Sequence, residues 1–312
     1  MKIALAQINP TVGDLEGNLQ KIQAFHARAA AAGAALVVFP ELAVTGYPPL
    51  DLVSHGSFVA QADGAVDRLA SVLTGPPALV GCILPNPESA GRPVINAAVL
   101  IREGTRVSTH AKSRLPTYDV FDEDRYFEPA ARVQPFELGG LRVGVTVCED
   151  IWSGPEDDRP RYRGDPVEEL GRQGVDLLVN LSASPFHAGK SRARERRLQE
   201  IAADLGCPVA LVNQVGGNDS LLFDGRSLAV GPGNRLLARG AAFDEEVESR
   251  VTSIQGEMTH RSHGDHAGQC RHAFQELRKE RRLRLGFRIF RRGQRDGRFE
   301  SSSGAEAGVD LE

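Results

Sequence analysis

The feature that most constrains this chain is a repeated switch between two hydrophobic periods over residues 1–247. Short, β-branched, mostly apolar runs of strand length recur at KIALAQI (2–8), ALVVF (35–39), ALVGCIL (78–84), VINAAVLI (94–101), RVSTHA (106–111), LRVGVTV (141–147), VDLLVNL (175–181), PVALVNQ (208–214) and SLAVG (227–231). Helical patterns lie between several of them. Residues 16–32 form one, closed by Gly33. Residues 57–73 form a second, with Val59, Ala62, Val66, Leu69 and Leu73 on one side. Residues 165–173 open with Asp165 as N-cap and Pro166 in the first turn, and residues 190–205 end at Gly206. No repeat at a fixed period of about 20–50 residues is present. The alternation predicts a layered α/β fold, with helices outside one sheet or outside two.

Composition narrows the function. With 312 residues and 41% hydrophobic content, the chain can bury a large core. No apolar run approaches the roughly 18 residues of a membrane span. The N-terminus MKIALAQINP has one Lys and too short an apolar run for a secretory signal, so a cytoplasmic protein without membrane partners is expected. A net charge of −4 gives no broad attraction to nucleic acid. The four cysteines, Cys82, Cys148, Cys207 and Cys270, form no CxxC pair, which speaks against a disulfide or zinc framework. No metal site is expected, since His260, His263, His266 and Cys270 have ligand-like spacing but no flanking strand or cap to organise them.

Residues 248–312 differ in character. From 251 to 312 there are 12 Lys and Arg against 9 Asp and Glu, whereas the preceding 250 residues hold 25 against 32. Apart from one short basic helix near 270–285, no period persists there. The segment is expected to be a poorly ordered basic and polar tail rather than a nucleic-acid arm.

Three strand exits carry reactive groups. ALVVF runs into PELAVTGYPP and places Glu41 two residues beyond the strand; RVSTHA is followed by Lys112; LRVGVTV runs directly into Cys148. In α/β folds, functional groups collect just past the carboxyl ends of strands. Singly, each has an ordinary explanation: a solvated carboxylate, a surface lysine, a core cysteine. Together they suit nucleophilic attack on an amide. Glu41 is expected to take the thiol proton, a role that requires partial burial or a nearby carboxylate to raise its pKa. Lys112 holds Cys148 as thiolate and stabilises the oxyanion, and the backbone N–H of Glu149 adds a donor. Such a site cleaves a carbon–nitrogen bond through a thioester, with no metal or organic cofactor.

At these residues the chain resembles the nitrilase, or carbon–nitrogen hydrolase, superfamily. The resemblance rests on FPELAVTGYPP (39–49), KSRLPTYDVFDEDRYF (112–127) and GVTVCEDIW (144–152) and covers residues 1–247. It implies an αββα four-layer sandwich, a Glu41–Lys112–Cys148 triad, a second glutamate at Glu123 that positions the substrate amide, and a homo-oligomer. Within the superfamily, NLSASPFHAGKSRARE and NQVGGNDSLLFDGRSLAV resemble the glutaminase domain of glutamine-dependent NAD+ synthetases. This implies glutamine as substrate, with Tyr118, Ser182 and Ser184 on the substrate side. The ammonia would pass to a synthetase domain or subunit that uses ATP and deamido-NAD.

The family's SGGxDS phosphate-binding loop does not occur in the 312 residues. Nor is a final sandwich strand visible after AAFDEEV. The change near residue 248 therefore leads us to expect a truncated or frame-shifted coding sequence. A stand-alone amidase for another small carboxamide, and an inactive remnant acting as an interaction module, are the alternatives. GKS at 189–191 stands where a P-loop would, but Ser184 replaces the required Gly and Pro185 removes a donor. Cys82 and Cys207 read as packed residues, His110 and His187 as structural histidines, and Trp152 as packing for the nucleophile loop.

Overall fold

The computed structural model describes residues 1–152, 162 and 164–248. Contacts divide the chain into two units, Met1–Ala267 and Gly268–Glu312, of which the first is described below. The expected basic helix near 270–285 and the cluster of His260, His263, His266 and Cys270 lie outside the described residues, as does the rest of the expected tail beyond Glu248.

The strands are β1 (Ile3–Gln7), β2 (Leu36–Val38), β3 (Ala78–Pro85), β4 (Val94–Arg102), β5 (Thr105–Ala111), β6 (Phe136–Leu138), β7 (Leu141–Val147), β8 (Leu177–Ser182), β9 (Val209–Asn213), β10 (Val215–Asn218), β11 (Leu221–Asp224), β12 (Leu228–Gly231), β13 (Arg235–Arg239) and β14 (Glu246–Glu248). The helices are α1 (Leu15–Ala31), α2 (Gly56–Val72), α3 (Pro166–Gln173) and α4 (Lys190–Leu205). Two six-stranded sheets result, ordered β14-β1-β2-β3-β4-β5 and β13-β12-β9-β8-β7-β6, with β10 and β11 as a separate hairpin. In each sheet three strands run parallel, β1-β2-β3 and β7-β8-β9, and antiparallel strands flank them.

Side-chain alternation sorts the sheets into four layers. In β1, Ala4 and Ala6 face Leu19 and Ile22 of α1, while Ile3 and Leu5 face the other way. Those two join Val38, Leu79 and Leu100 against Val145, Val179 and Val212 of the second sheet. The opposite face of the second sheet, with Leu178 and Leu211, packs on Leu170 of α3 and Leu198 of α4. The order is helices, sheet, sheet, helices, as expected for an αββα sandwich. Burying each of these aliphatic side chains contributes roughly 1.5–3 kcal/mol, so the inter-sheet core fixes the relative placement of the sheets. Two helix starts follow the sequence signals. Asp14 accepts from Gly17 N at 2.9 Å, and Asp165 accepts from Val167 N and Glu168 N at 3.0 and 3.1 Å. Among the described residues no helix is long and apolar enough to cross a membrane.

Five strands, β6, β10, β11, β13 and β14, are additions to the sequence reading. The last corrects it directly. A closing strand does exist, two residues earlier than the segment judged to lack one, and it pairs antiparallel with β1 (Ala6 opposite Val247). Its three residues are Glu-Val-Glu, so no apolar run announces it. The Gln7 side chain fastens the approach to this strand. It donates to Ala241 O and Asp244 O at 2.9 and 2.7 Å and accepts from Ser227 N and Oγ at 2.9 and 2.8 Å.

Candidate active site

The carboxyl ends of the parallel strands in the two sheets meet at one rim, where Val215 N donates to Ile8 O just past β9 and β1. Glu41 reaches this rim from the turn after β2, with Leu42 held at φ +48°. The turn lies directly on β3, at Gly81. A Cβ there would stand 2.3 Å from Pro40 O, 2.5 Å from Leu42 N and 2.7 Å from the Glu41 Cα, so only glycine permits the approach.

The Glu41 carboxylate is fully buried and held from three sides. Lys112 Nζ donates to its Oε1 at 2.7 Å, Asn96 Nδ2 donates to the same oxygen at 2.8 Å, and Ala183 N donates to Oε2 at 2.9 Å. Lys112, at the exit of β5, also donates to both Glu123 oxygens, at 2.8 and 2.7 Å. Glu123 sits in the 3₁₀ turn Glu123–Arg125 and accepts from Tyr47 Oη at 2.8 Å. One ammonium therefore faces two carboxylates in a site closed to solvent. Burial disfavours the Lys112 charge, but Glu123 and Glu41 outweigh it and hold the group well above its usual range. Burial, with Glu41 adding to it against Lys112, pushes Glu123 up to about 7.

Cys148 begins the 3₁₀ turn Cys148–Ile151 directly after β7, with φ +41°. That backbone is sparsely populated for a side-chain-bearing residue and costs about 1–3 kcal/mol. The charges of Glu41, Lys112, Glu123 and Glu149 all act on its thiol. Burial first, then Glu41, push the thiol well above its ordinary range, against the pull of Lys112. Lys112 was expected to hold Cys148 as thiolate; its ammonium instead makes its hydrogen bonds to Glu41 and Glu123.

Asp150 ties the turn to the lysine segment. Its carboxylate accepts from Val147 N at 2.9 Å, just before the cysteine, and from Ser113 N and Arg114 N at 2.9 and 2.8 Å, just after the lysine. The side chain of Glu149 accepts from Tyr118 Oη at 2.8 Å and Tyr162 Oη at 3.1 Å, and burial raises its pKa. Ser182 is buried at the end of β8. Its Oγ donates to Asn180 Oδ1 at 2.6 Å, and Asn180 Nδ2 in turn donates to Thr146 Oγ1 at 3.1 Å. Ser184 follows Ala183 and is fixed through its backbone N on Asn213 Oδ1 at 2.8 Å. Gly189 and Lys190 of the GKS segment open α4, and Lys190 Nζ lies 4.3 Å from the centre of the Trp152 ring. Burial lowers the Lys190 pKa, and Cys148 and Glu149 are the charges that oppose it. Among the histidines set aside, His110 is pushed down to about 4 by burial and leans on Phe136, and His187 is exposed.

Sequence reasoning brought Glu41, Lys112, Glu123 and Cys148 to one place but missed Tyr47, Asn96, Asp150 and Lys190. Asn96 carried a readable signal, as the one polar residue in the run VINAAVLI.

This fold and site define a hydrolase of carbon–nitrogen bonds. The chain belongs to the carbon–nitrogen hydrolase family, whose profile matches residues 2–255. It is 42% identical over 265 residues to a glutamine-dependent NAD+ synthetase from Synechocystis sp., covering 82% of this chain and 47% of that protein. A glutamine-dependent NAD+ synthetase from Thermotoga maritima is 38% identical over 250 residues, covering 79% and 41%. Among solved structures, the chain resembles a glutamine-dependent NAD+ synthetase from Acinetobacter baumannii (TM-score 0.72, 31% identity, 81% of this chain and 47% of that one). It also resembles an amidase from Nesterenkonia sp. AN1 in which acrylamide has added to the active-site cysteine (TM-score 0.67, 25% identity, 80% and 91%). The chain spans less than half the length of the synthetases it matches.

Proposed function

We propose that this chain hydrolyses the side-chain amide of glutamine to glutamate and ammonia through a thioester on Cys148. The observation that carries the reading is the buried Glu41–Lys112–Glu123 cluster acting on the Cys148 thiol. The sulfur attacks the amide carbon while its proton passes to Glu41. A C–S bond forms and the carbonyl π pair moves to oxygen. Lys112 stabilises that oxyanion, and the N–H of Glu149, in the first turn of the Cys148–Ile151 segment, is the second donor. Glu41 then gives its proton to the nitrogen, the C–N bond breaks and ammonia leaves. Water adds to the thioester with Glu41 as base, the C–S bond breaks, and the proton returns to sulfur.

Glutamine is favoured by the identity to the synthetases and by charges at the substrate end of the site. The Glu149 carboxylate, with Tyr118 and Tyr162, suits the α-ammonium of an amino acid, and Lys190 suits its α-carboxylate. Ser182 and Ser184, assigned to the substrate side by the resemblance, lie at and just past the carboxyl end of β8. The amidase reaction as written uses no metal or organic cofactor. ATP and deamido-NAD belong to a synthetase domain or subunit that accepts the ammonia, and a homo-oligomer in the cytoplasm is the setting we propose. A second reading, an amidase for another small carboxamide, is favoured by the high coverage of the Nesterenkonia amidase.

Ammonia release from glutamine is the test. Wild type should release it and Cys148→Ala should not. Equal rates would remove the nucleophile, and activity confined to other carboxamides would favour the second reading.

A further inference from the structure

Three donors from the described residues occupy the Glu41 carboxylate, two on one oxygen and one on the other. An ionised carboxylate offers about four lone-pair sites, two on each oxygen. Oε1 receives Lys112 Nζ and Asn96 Nδ2, at 2.7 and 2.8 Å, and is filled. Among the described residues, Oε2 receives only Ala183 N, at 2.9 Å. The orientation of Asn96 is not arbitrary. A carboxylate oxygen only accepts, so the amide must turn its nitrogen toward Glu41. Its Oδ1 is thereby left buried with no hydrogen-bond partner. Burying an unmet acceptor is costly, and here it occurs at the third residue of β4, within the otherwise apolar stretch 94–101. A Leu or Val at 96 would avoid that cost.

We propose that Asn96 is a positioning residue for the general base: with Lys112 it occupies Oε1 of Glu41, so the proton leaving Cys148 has one destination, Oε2. This rests on the reading of Glu41 as the base. The same oxygen then returns the proton to the departing nitrogen and takes the proton from water, so one geometry serves every transfer. The titratable groups facing Glu41 are Lys112 from the exit of β5, Glu123 from its 3₁₀ turn, Tyr47 from the loop after β2, and Cys148 from the end of β7. Asn96 makes no hydrogen bond to any of these four side chains, so its replacement acts on Glu41 first.

Two rates against pH test the proposal in wild type, Asn96→Leu, the isosteric Asn96→Asp, and Glu41→Gln. One is alkylation of Cys148 by iodoacetamide, followed on the Cys148 peptide by mass spectrometry; the other is ammonia release from glutamine. Losing a hydrogen bond to the charged carboxylate should raise the acid limb of both profiles by about one pH unit in Asn96→Leu. Asn96→Asp, which sets a second carboxylate against Glu41, should raise it further and reports even if the leucine variant fails to fold. Turnover should fall roughly ten-fold with KM changed less than about two-fold. An acid limb unmoved in both variants would overturn the proposal whether or not the rate falls, because Asn96 would then only fill space. A wild-type alkylation profile identical to that of Glu41→Gln would remove the base and the proposal together. Failure to release ammonia from glutamine, with the alkylation limb still shifted, would remove only the substrate reading.

Discussion

Gly81 and Glu123 show how much depends on single atoms at this rim. Gly81→Ala would drive a methyl into Pro40 O, Leu42 N and the Glu41 Cα, all backbone atoms that cannot swing aside. The turn carrying Glu41 must then lift off β3. The expected loss is about 1–3 kcal/mol in denaturant unfolding, together with turnover, as Glu41 moves away from Lys112 and Asn96. Full turnover in a folded Gly81→Ala protein would contradict the placement of Glu41. Glu123 predicts a pH dependence of stability. Its folded pKa of about 7 lies above the ordinary value of 4.5, so folding favours the protonated form. That contribution is present below about pH 4.5 and is lost as the pH rises through about 7. Glu123→Gln lacks it. Between about pH 5 and 8, the urea midpoint of wild type should therefore fall relative to that of the variant. A relative rise would mean that Lys112 holds Glu123 fully ionised.

At the scale of elements, two chain segments distant in sequence are joined by Asp150. It satisfies the N–H groups of Val147, Ser113 and Arg114, which flank Cys148 and follow Lys112. Asp150→Ala would leave three N–H groups in or near the interior without that partner. A loss of at least about 3 kcal/mol is expected at unchanged m-value, read from the denaturant midpoint. Asp150→Asn keeps one acceptor oxygen and should lose less. A variant as stable as wild type would mean these groups find other partners. Elements of this kind were unevenly legible. The nine strands read from the sequence were legible because most are buried on both faces and dominated by apolar residues, as in β3 and β9. The hairpin β10–β11 was not, because Val-Gly-Gly-Asn carries neither strand period nor bulk, and tertiary contacts rather than propensity make it a strand. β13 (Arg-Leu-Leu-Ala-Arg) and the three-residue β6 and β14 lie at or next to sheet edges, where neither alternation nor length gives a signal.

The whole molecule exists to bring two sheets into register at one rim. Glu41 and Lys112 hang from the first sheet and Cys148 from the second, and the core of Ile3, Leu5, Val145 and Val179 between them sets the distance. The convergence was legible because Lys112 and Cys148 directly follow, and Glu41 closely follows, strands that the sequence pattern already marked. Asn96, Tyr47 and Asp150 were harder to see, since a buried polar side chain declares its partner only when the chain is folded. The proposed supply of ammonia to a synthetase rests on the likeness to NAD+ synthetases, of whose length this chain spans less than half. The central claim, that Cys148 carries the acyl group, is tested most directly by acid-quenching the protein during turnover with saturating glutamine and mapping the Cys148 peptide by mass spectrometry. A glutamyl adduct at Cys148, released by hydroxylamine and absent from Cys148→Ala, is the predicted result. Steady ammonia release by wild type and Cys148→Ala alike, with no adduct on that peptide, would contradict it.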